Sequence, residues 1–330
     1  MSLKQSVLQI LENNRDSSVS GQQLADKLQV SRAAIWKAIN SLKEEGYSIY
    51  ATTNKGYRLY ENTDLLSSEG IIPHLKESYS KLPIIVYKTI DSTNSQAKKQ
   101  LVTNAVHGTV IAAEEQTNGR GRMGRSFYSP SKTGIYMSLI LRPHLNISNA
   151  VLITTASAVA VCRAIKSLTD KKPEIKWVND IYVNGKKVCG ILTEAVTDFE
   201  SRMVESIIIG IGINFKTTDE HFPDEIRETA GSLFTSESTG ITRNRLIAEI
   251  INELLDIYDN LEDSNFIMEY KAQSMILGKE IVFYENSIEN YGKAIDIDNS
   301  GGLVVETKKG EVITLNSGEI TVRRLSIEDK

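Results

Sequence analysis

Two cysteines in 330 residues, Cys162 and Cys189, are too few for a disulfide framework, and neither lies near a histidine cluster that could complete a zinc site. A reducing cytoplasm is therefore the expected setting. Long apolar runs are also missing: the longest, Val151 to Ile165, is interrupted by Thr and Ser and is too short to span a bilayer. The first apolar positions are spaced helically among polar residues, unlike a signal peptide, so neither membrane insertion nor secretion is expected. Nor is there a surplus of positive charge. Thirty-eight Lys and Arg against 42 Asp and Glu leave a net charge of −4, which excludes a protein coated in nucleic acid and leaves room for a small DNA-binding module. Residues 1–62 carry slightly more basic than acidic side chains. Repeats, low-complexity tracts and charge blocks are absent, and the length suits two or three globular domains.

What the chain does have is Gly119-Arg120-Gly121-Arg122-Met123-Gly124-Arg125, three glycines interleaved with three arginines. Glycine weakens helix and strand alike, and arginine presents planar donors that match phosphate or carboxylate oxygens in pairs. The run reads as a loop that grips an anion. Ordering seven such residues costs about 7–14 kcal/mol of backbone entropy, so the loop is expected to close only when its anion arrives. Gly119, Gly121 and Gly124 also satisfy the dinucleotide fingerprint G-x-G-x-x-G. That fingerprint needs a helix opening at the third glycine, whereas Arg125 to Gly134 is turn chemistry, so a dinucleotide fold is not expected here.

The chain divides into three expected domains, residues 1–63, 64–276 and 277–330. In the first, Leu3, Val7, Leu8, Ile10 and Leu11 form a helical face. Ser20 with Gln23 makes a capping box, and Ser31 caps a third helix that turns Ile35, Ala38, Ile39 and Leu42 inward. Alternating strands around an Asn54-Lys55-Gly56 turn add a two-stranded wing. This segment resembles the winged-helix domains of bacterial regulators. Ser31, Arg32, Trp36, Lys37 and Asn40 on the third helix are candidates for a major groove, and Lys55 and Arg58 on the wing for phosphates. A plain interaction module, with Trp36 packed against the wing, is the alternative. In the second domain, strands are expected at Ile84 to Lys88, Thr109 to Ala113, Ile135 to Leu141, Glu174 to Trp177, Lys187 to Ala195 and Glu205 to Ile211. Helices are expected near Asn149 to Leu168 and Thr242 to Asn260. In the third, five short strands, the last at Glu319 to Arg323, predict a small β-barrel.

The middle domain carries, in order, Asp91-Ser92-Thr93-Asn94, Glu115-Gln116-Thr117 before the arginine loop, Lys176-Trp177-Val178-Asn179-Asp180, Lys186-Lys187-Val188-Cys189-Gly190 and Gly210-Ile211-Gly212-Ile213-Asn214. Each segment alone is weak. Their combination resembles the biotin protein ligases, and with the winged helix in front the chain is similar to the bifunctional ligases that also repress the biotin operon of bacteria.

That resemblance implies an α+β multidomain protein: a winged helix-turn-helix, a central mixed sheet related to class II aminoacyl-tRNA synthetases, and an SH3-like C-terminal barrel. It implies biotin, ATP and Mg²⁺ as reactants, biotinyl-5′-AMP as intermediate and corepressor, and transfer of biotin to a lysine of a biotin carboxyl carrier protein, such as that of acetyl-CoA carboxylase or pyruvate carboxylase. It further implies operator DNA as a partner and a homodimer once the adenylate is bound. By the same resemblance Arg120, Arg122, Lys187 and Asp180 carry the chemistry. Ser92, Thr93, Asn94, Gln116 and Gly190, with Arg120, Gly121, Arg122 and Lys187, hold biotin. Arg125, Phe127, Asn179 and Asn214, with Arg122 and Lys187, hold the nucleotide, and Phe215 to Ser232 is a second loop ordered over the adenine. Asp180 either orients the carrier lysine or helps hold Mg²⁺; no other metal ligand is expected. Two positions depart from the family: Val178 stands where Pro is usual, and Phe127 where Trp is common, leaving Phe127 either to stack on adenine or to join the core. Two rival readings remain at this point, a winged-helix repressor that senses a dinucleotide without catalysis and a ligase with a vestigial winged helix.

Overall fold

The fold is that of a computed structural model, which describes residues 2–52, 55–60, 63–143, 150–197, 204–236, 239–285, 288–316 and 320–322. Asn54 of the wing turn, Asn149 at a helix start, and Glu319 and Arg323 at the ends of the last strand lie outside these residues.

The N-terminal unit is α1 (Leu3–Glu12), α2 (Gly21–Leu28) and α3 (Arg32–Glu44), followed by the antiparallel pair β1 (Ile49–Thr52) and β2 (Gly56–Leu59). Each helix starts on a serine. The Ser20 and Gln23 box is reciprocal, Ser31 accepts from the Ala34 amide, and Ser2 forms a further box with Gln5 that sequence inspection had passed over. Ile35, Ala38, Ile39 and Leu42 are all buried, in a core of their own with Val7, Leu11 and Leu24.

Next come α4 (Ser68–Ile71), β3 (Ile84–Ile90), α5 (Thr93–Val102), β4 (Val110–Gln116), β5 (Gly134–Leu141), α6 (Ala150–Leu168), β6 (Glu174–Lys176), β7 (Asp180–Val183), β8 (Lys186–Thr197), β9 (Val204–Asn214), α7 (Asp224–Arg227), α8 (Arg243–Asp259) and α9 (Phe266–Gln273). The strands form one sheet in the order β3-β4-β5-β9-β8-β7-β6, with only β3 and β4 parallel. Ile111, Ile140 and Ile208 face α5 on one side, while Val110, Leu139 and Ile209 join the main core with α6 and α8 on the other. Burial on both faces is why these strands are nearly continuous apolar runs. Strand β7 was not foreseen, and the strand expected to end at Trp177 stops at Lys176, because residues 177–179 turn the chain into β7. Helix α6 is, by length and composition, long and apolar enough to cross a membrane, contrary to the estimate from its sequence. It is instead a core helix: Val159, Val161, Cys162 and Ile165 are buried within the same core as the sheet and α8.

The C-terminal unit is an antiparallel, barrel-like sheet of β10 (Glu280–Glu285), β11 (Ile288–Ile297), β12 (Leu303–Thr307), β13 (Val312–Leu315) and β14 (Ile320–Val322), in the order β13-β12-β11-β10-β14. Its buried Ile281, Phe283, Ile297 and Leu303 are continuous with the central core. The Trp177 indole N–H also donates to the Gly301 carbonyl at 2.9 Å.

One buried cation joins the winged helix to the sheet. Arg243, at the start of α8, is fully buried; Nε lies 3.0 Å from Asp64 Oδ2, Nη1 lies 2.7 Å from Glu114 Oε2, and Nη1 also donates to the Gly134 carbonyl at 3.2 Å. Neighbouring Asn244 accepts from the Ser67 amide and donates to the Leu65 carbonyl. Burial alone would raise the Glu114 carboxyl, but the Arg243 hydrogen bonds and charge outweigh it and hold the group below its ordinary 4.5. A depressed carboxyl stabilises the fold fully above its ordinary range, and that share is lost as pH falls below it. We therefore expect Arg243→Met to cost about 3–5 kcal/mol, read as a lower urea midpoint, because two partly buried carboxylates lose their fully buried partner. Adding Asp64→Asn and Glu114→Gln should recover part of that loss, and Glu114→Gln alone should flatten the decline in stability below pH 4.5.

Candidate active site

A cavity of about 360 Å³ is walled by the start of α5, the end of β4 with the arginine loop, the β6–β7 turn, β8 and β9. Every residue that the family resemblance assigns to biotin or ATP lines it, except Asn214.

The charged centre lies on β7 and β8. Lys187 Nζ is 2.7 Å from the buried Asp180 Oδ1, an ion pair inside the cavity. From across the cavity, Arg122 Nη1 donates to Asn179 Oδ1 at 3.1 Å. Asn179 is held in turn, its Nδ2 donating to the Ile191 carbonyl and its own carbonyl accepting from the Ile191 amide. The arginine loop is thus docked on the β6–β7 turn, whose Trp177–Val178 peptide is cis. Its foot is pinned by Gly121 N to Arg125 O at 2.7 Å and Phe127 N to Gly119 O at 2.9 Å. At its tip, Met123 is exposed and takes a left-handed φ of 54°. No helix opens at Gly124; residues 125–133 run without helix into β5. The dinucleotide reading, and the sensor built on it, lose their structural support.

Polar side chains from α5 and β4 line the other end. Gln116 Oε1 accepts from the Thr93 amide at 2.8 Å and the Thr93 hydroxyl at 3.1 Å, which caps α5. Ser92, at the N-cap of α5, is buried, makes no side-chain cap bond and faces the cavity. Asn94 was expected to touch ligand, but both ends of its amide serve the fold: Oδ1 accepts from Ser138 at 2.6 Å and Nδ2 donates to Glu194 at 2.9 Å. Glu194 also binds Lys98 at 2.7 Å; burial would raise its carboxyl, but the bonds from Lys98 and Asn94 hold it low.

Phe127 lies across β8 and β9. A Cβ at Gly212 would come within 2.6 Å of its ring, so glycine there leaves the ring its place against the sheet. The ring is edge-on to Tyr136 and half-buried, which places Phe127 in the cavity wall and not in the core proper. Asn214 is buried outside the cavity, its Nδ2 donating to the Gly231 carbonyl, so it fastens the loop after β9. That loop, the expected Phe215 to Ser232 segment, brings Ile226 and Thr229 to the cavity. Lys176, Tyr182 and Ile320 were missed. Lys176 lay inside a quoted motif; nothing in the sequence placed β7 or the last strand beside it. Tyr182 is pushed up to about 12, first by burial and then by the Asp180 charge. Both cysteines are buried and free, with burial pushing their thiols up, Cys162 to about 12.

On the winged helix, Arg32, Lys37 and Lys55 are exposed, Ser31 is spent as a cap, and Asn40 is half-buried. Trp36 is 58% exposed and stands outside the core of the winged helix. Arg58 departs from expectation: it is half-buried and its Nε donates to the Arg15 carbonyl, which turns it toward the domain.

Three family models match the chain: the HTH domain over residues 4–58, the Biotin/lipoate A/B protein ligase family over 86–214 and the Biotin protein ligase C terminal domain over 276–323. The bifunctional ligase/repressor BirA of Bacillus spizizenii is 36% identical over 311 residues, 93% of this chain and 95% of that protein. Its counterpart in Escherichia coli is 29% identical over 92% of both. Among solved structures, the biotin protein ligase of Aquifex aeolicus in complex with biotin and ATP matches with a TM-score of 0.63 at 27% identity, covering 74% of this chain and 99% of that one.

If Asn94 is a strut, Asn94→Ala should lower stability by about 1–3 kcal/mol in denaturant unfolding, because the fully buried Ser138 hydroxyl loses its acceptor. An unchanged midpoint would return Asn94 to the ligand-contact role.

Proposed function

The chain belongs to the biotin protein ligases of the bifunctional ligase/repressor kind, and from that premise we propose how its own residues do the work. It is an ATP-dependent ligase that forms biotinyl-5′-AMP and passes biotin to a lysine of a biotin carboxyl carrier protein, and its winged helix serves repression of biotin genes. The observation that carries the site assignment is the convergence, in one cavity, of the arginine loop, the Lys187–Asp180 pair and the polar α5–β4 end.

Biotin lies with its ureido group at Ser92, Thr93 and Gln116, where a buried ring finds hydrogen-bond partners beside an apolar wall. Its carboxylate points to Arg120, Arg122 and Lys187. A carboxylate oxygen attacks the α-phosphorus of ATP, the bond to the β-phosphate oxygen breaks, and pyrophosphate leaves. Both reactants are anions, so the obstacle is electrostatic, and fixed cations together with loop amides lower it. Phe127 offers an aromatic face to adenine, and Arg125 and Asn179 support the nucleotide. In the second step the carrier lysine amine attacks the acyl carbon, AMP departs and the amine loses a proton. Asp180, a carboxylate in the cavity beside Lys187, holds that amine in line. Among the described residues no group of three or more His, Cys, Asp or Glu could cage a metal. Asp180, a carboxylate lining the cavity, would hold Mg²⁺, which would neutralise charge on the triphosphate.

Met123 at the tip of the arginine loop is exposed, and adenylate bound beneath the loop sets its conformation and with it a surface for a second copy. In this reading the adenylate-bound protein is a cytoplasmic homodimer on operator DNA, and unmodified carrier, by consuming the adenylate, releases it. Arg32, Trp36 and Lys37 face the groove and Lys55 a phosphate.

Incubation with biotin and Mg-ATP, without carrier, should yield biotinyl-5′-AMP and pyrophosphate by mass spectrometry. Arg120→Ala and Lys187→Gln should slow its formation by about 10²–10³-fold; normal rates in both would refute the site. Arg32→Ala and Lys37→Ala should weaken operator binding by the adenylate-loaded protein and leave ligation intact. A protein that sediments as a monomer at every concentration supporting operator binding would rule out the dimer.

A further inference from the structure

Ser129, at the foot of the arginine loop, has no part in the chemistry above. It is buried, 5% exposed, and its Oγ accepts from Gln116 Nε2 at 2.9 Å while donating to the Phe127 carbonyl at 2.8 Å. The polarity of this chain is not free. The Thr93 amide can only donate, so the Gln116 atom 2.8 Å from it is the amide oxygen, and Gln116 must turn its NH₂ to Ser129. The Phe127 carbonyl can only accept, so the Ser129 proton goes there and Oγ is left to accept from Gln116. Two backbone groups, one at the start of α5 and one beyond the loop, thereby decide which way the glutamine faces. One Nε2 hydrogen is spent on Ser129; the other has no acceptor among the described residues, and Gln116 lines the cavity.

Gly119 makes the chain sterically allowed. A Cβ there would fall 2.4 Å from the Phe127 carbonyl oxygen, 2.5 Å from Ser129 Oγ and 3.1 Å from Gln116 Nε2. The first glycine of the motif clears space for a polar relay and not for a phosphate. The loop's own ties, Gly121 to Arg125 and Phe127 to Gly119, run between backbone groups and do not pass through the Ser129 side chain.

We propose that Ser129 is a positioning residue for biotin, acting through Gln116: it fixes the rotamer and facing of the glutamine amide so that its free N–H is presented to the substrate pocket. The inference rests on the biotin reading of the cavity and separates the biotin end from the nucleotide end. Removing the hydroxyl should loosen Gln116 and leave the arginines and Lys187 where they are.

The test is biotin-dependent pyrophosphate release by the full chain with hydroxylamine as acceptor, together with thermal melting. Ser129→Ala should raise KM for biotin roughly tenfold, the scale of one lost hydrogen bond, with KM for ATP and kcat within about twofold of wild type. Ser129→Cys, which keeps the volume but accepts poorly, should behave the same way, and Ser129→Thr, which keeps the hydroxyl, should restore KM. An unchanged KM for biotin in both Ala and Cys variants overturns the proposal. So does a parallel change in both KM values and kcat, which marks a merely structural role. Wild-type protein that releases no pyrophosphate with biotin overturns the ligase reading itself, and is recognised without any variant.

Discussion

The guanidinium of Arg243 is the tie on which the rest of the architecture hangs. It is fully buried, and it meets Asp64 just beyond the wing, Glu114 two residues before Gln116, and the carbonyl of Gly134 where β5 begins. Glu114 and Gly134 are the two ends of the stretch that carries the arginine loop. One charge therefore anchors both ends of that stretch and the linker to the DNA-facing domain. A buried cation is costly unless every donor finds an acceptor, and here Asp64 and Glu114 supply both carboxylates.

Around that anchor the molecule separates rigid from adaptable parts. The C-terminal unit shares the core of the central sheet and is tied to it by the Trp177 indole, so it behaves as an extension of the catalytic body. The winged helix keeps its own core and reaches the body through the linker held by Arg243 and Asn244. Within the site, the floor is the sheet itself, with glycine at 212 so that Phe127 can lie on it. The foot of the arginine loop is pinned by backbone bonds, with the Gln116–Ser129–Phe127 relay beside it, while its tip projects Met123 outward. Cations that must meet two anionic substrates are thus carried on a segment fixed at its base and docked through Arg122 on Asn179.

Asn94, Asn179 and Asn214 show that a polar residue in a family motif can be bound into the fold as well as offered to a ligand. Asn94 and Asn214 give their amides to the protein, one bracing β5 and β8 against α5 and the other fastening the loop after β9. Asn179 does both, bridging Arg122 to the backbone of Ile191 while facing the cavity. A side-chain amide with two polar ends can serve structure and ligand at once, and its letter in a motif does not say which.

Local physics was legible in the chain by itself. Serine caps at 20 and 31, the inward set from Ile35 to Leu42, the apolar strands at 135–141 and 205–211, and the refusal of a helix at Gly124 all follow from periodicity, capping and turn chemistry within a few residues. The order of the polar segments was also enough to name the family. Only the tertiary structure decided which polar atoms remain open. Arg58 turns inward, Ser129 sets Gln116, Asp180 pairs with Lys187, and Ile320 arrives at the cavity from the last strand. Membrane-like α6 becomes a core helix for the same reason. Hydrophobic periodicity fixes what a segment is, because its cause is local; hydrogen-bond partners and burial are settled between segments far apart in sequence, because their cause is the packing that brings them together.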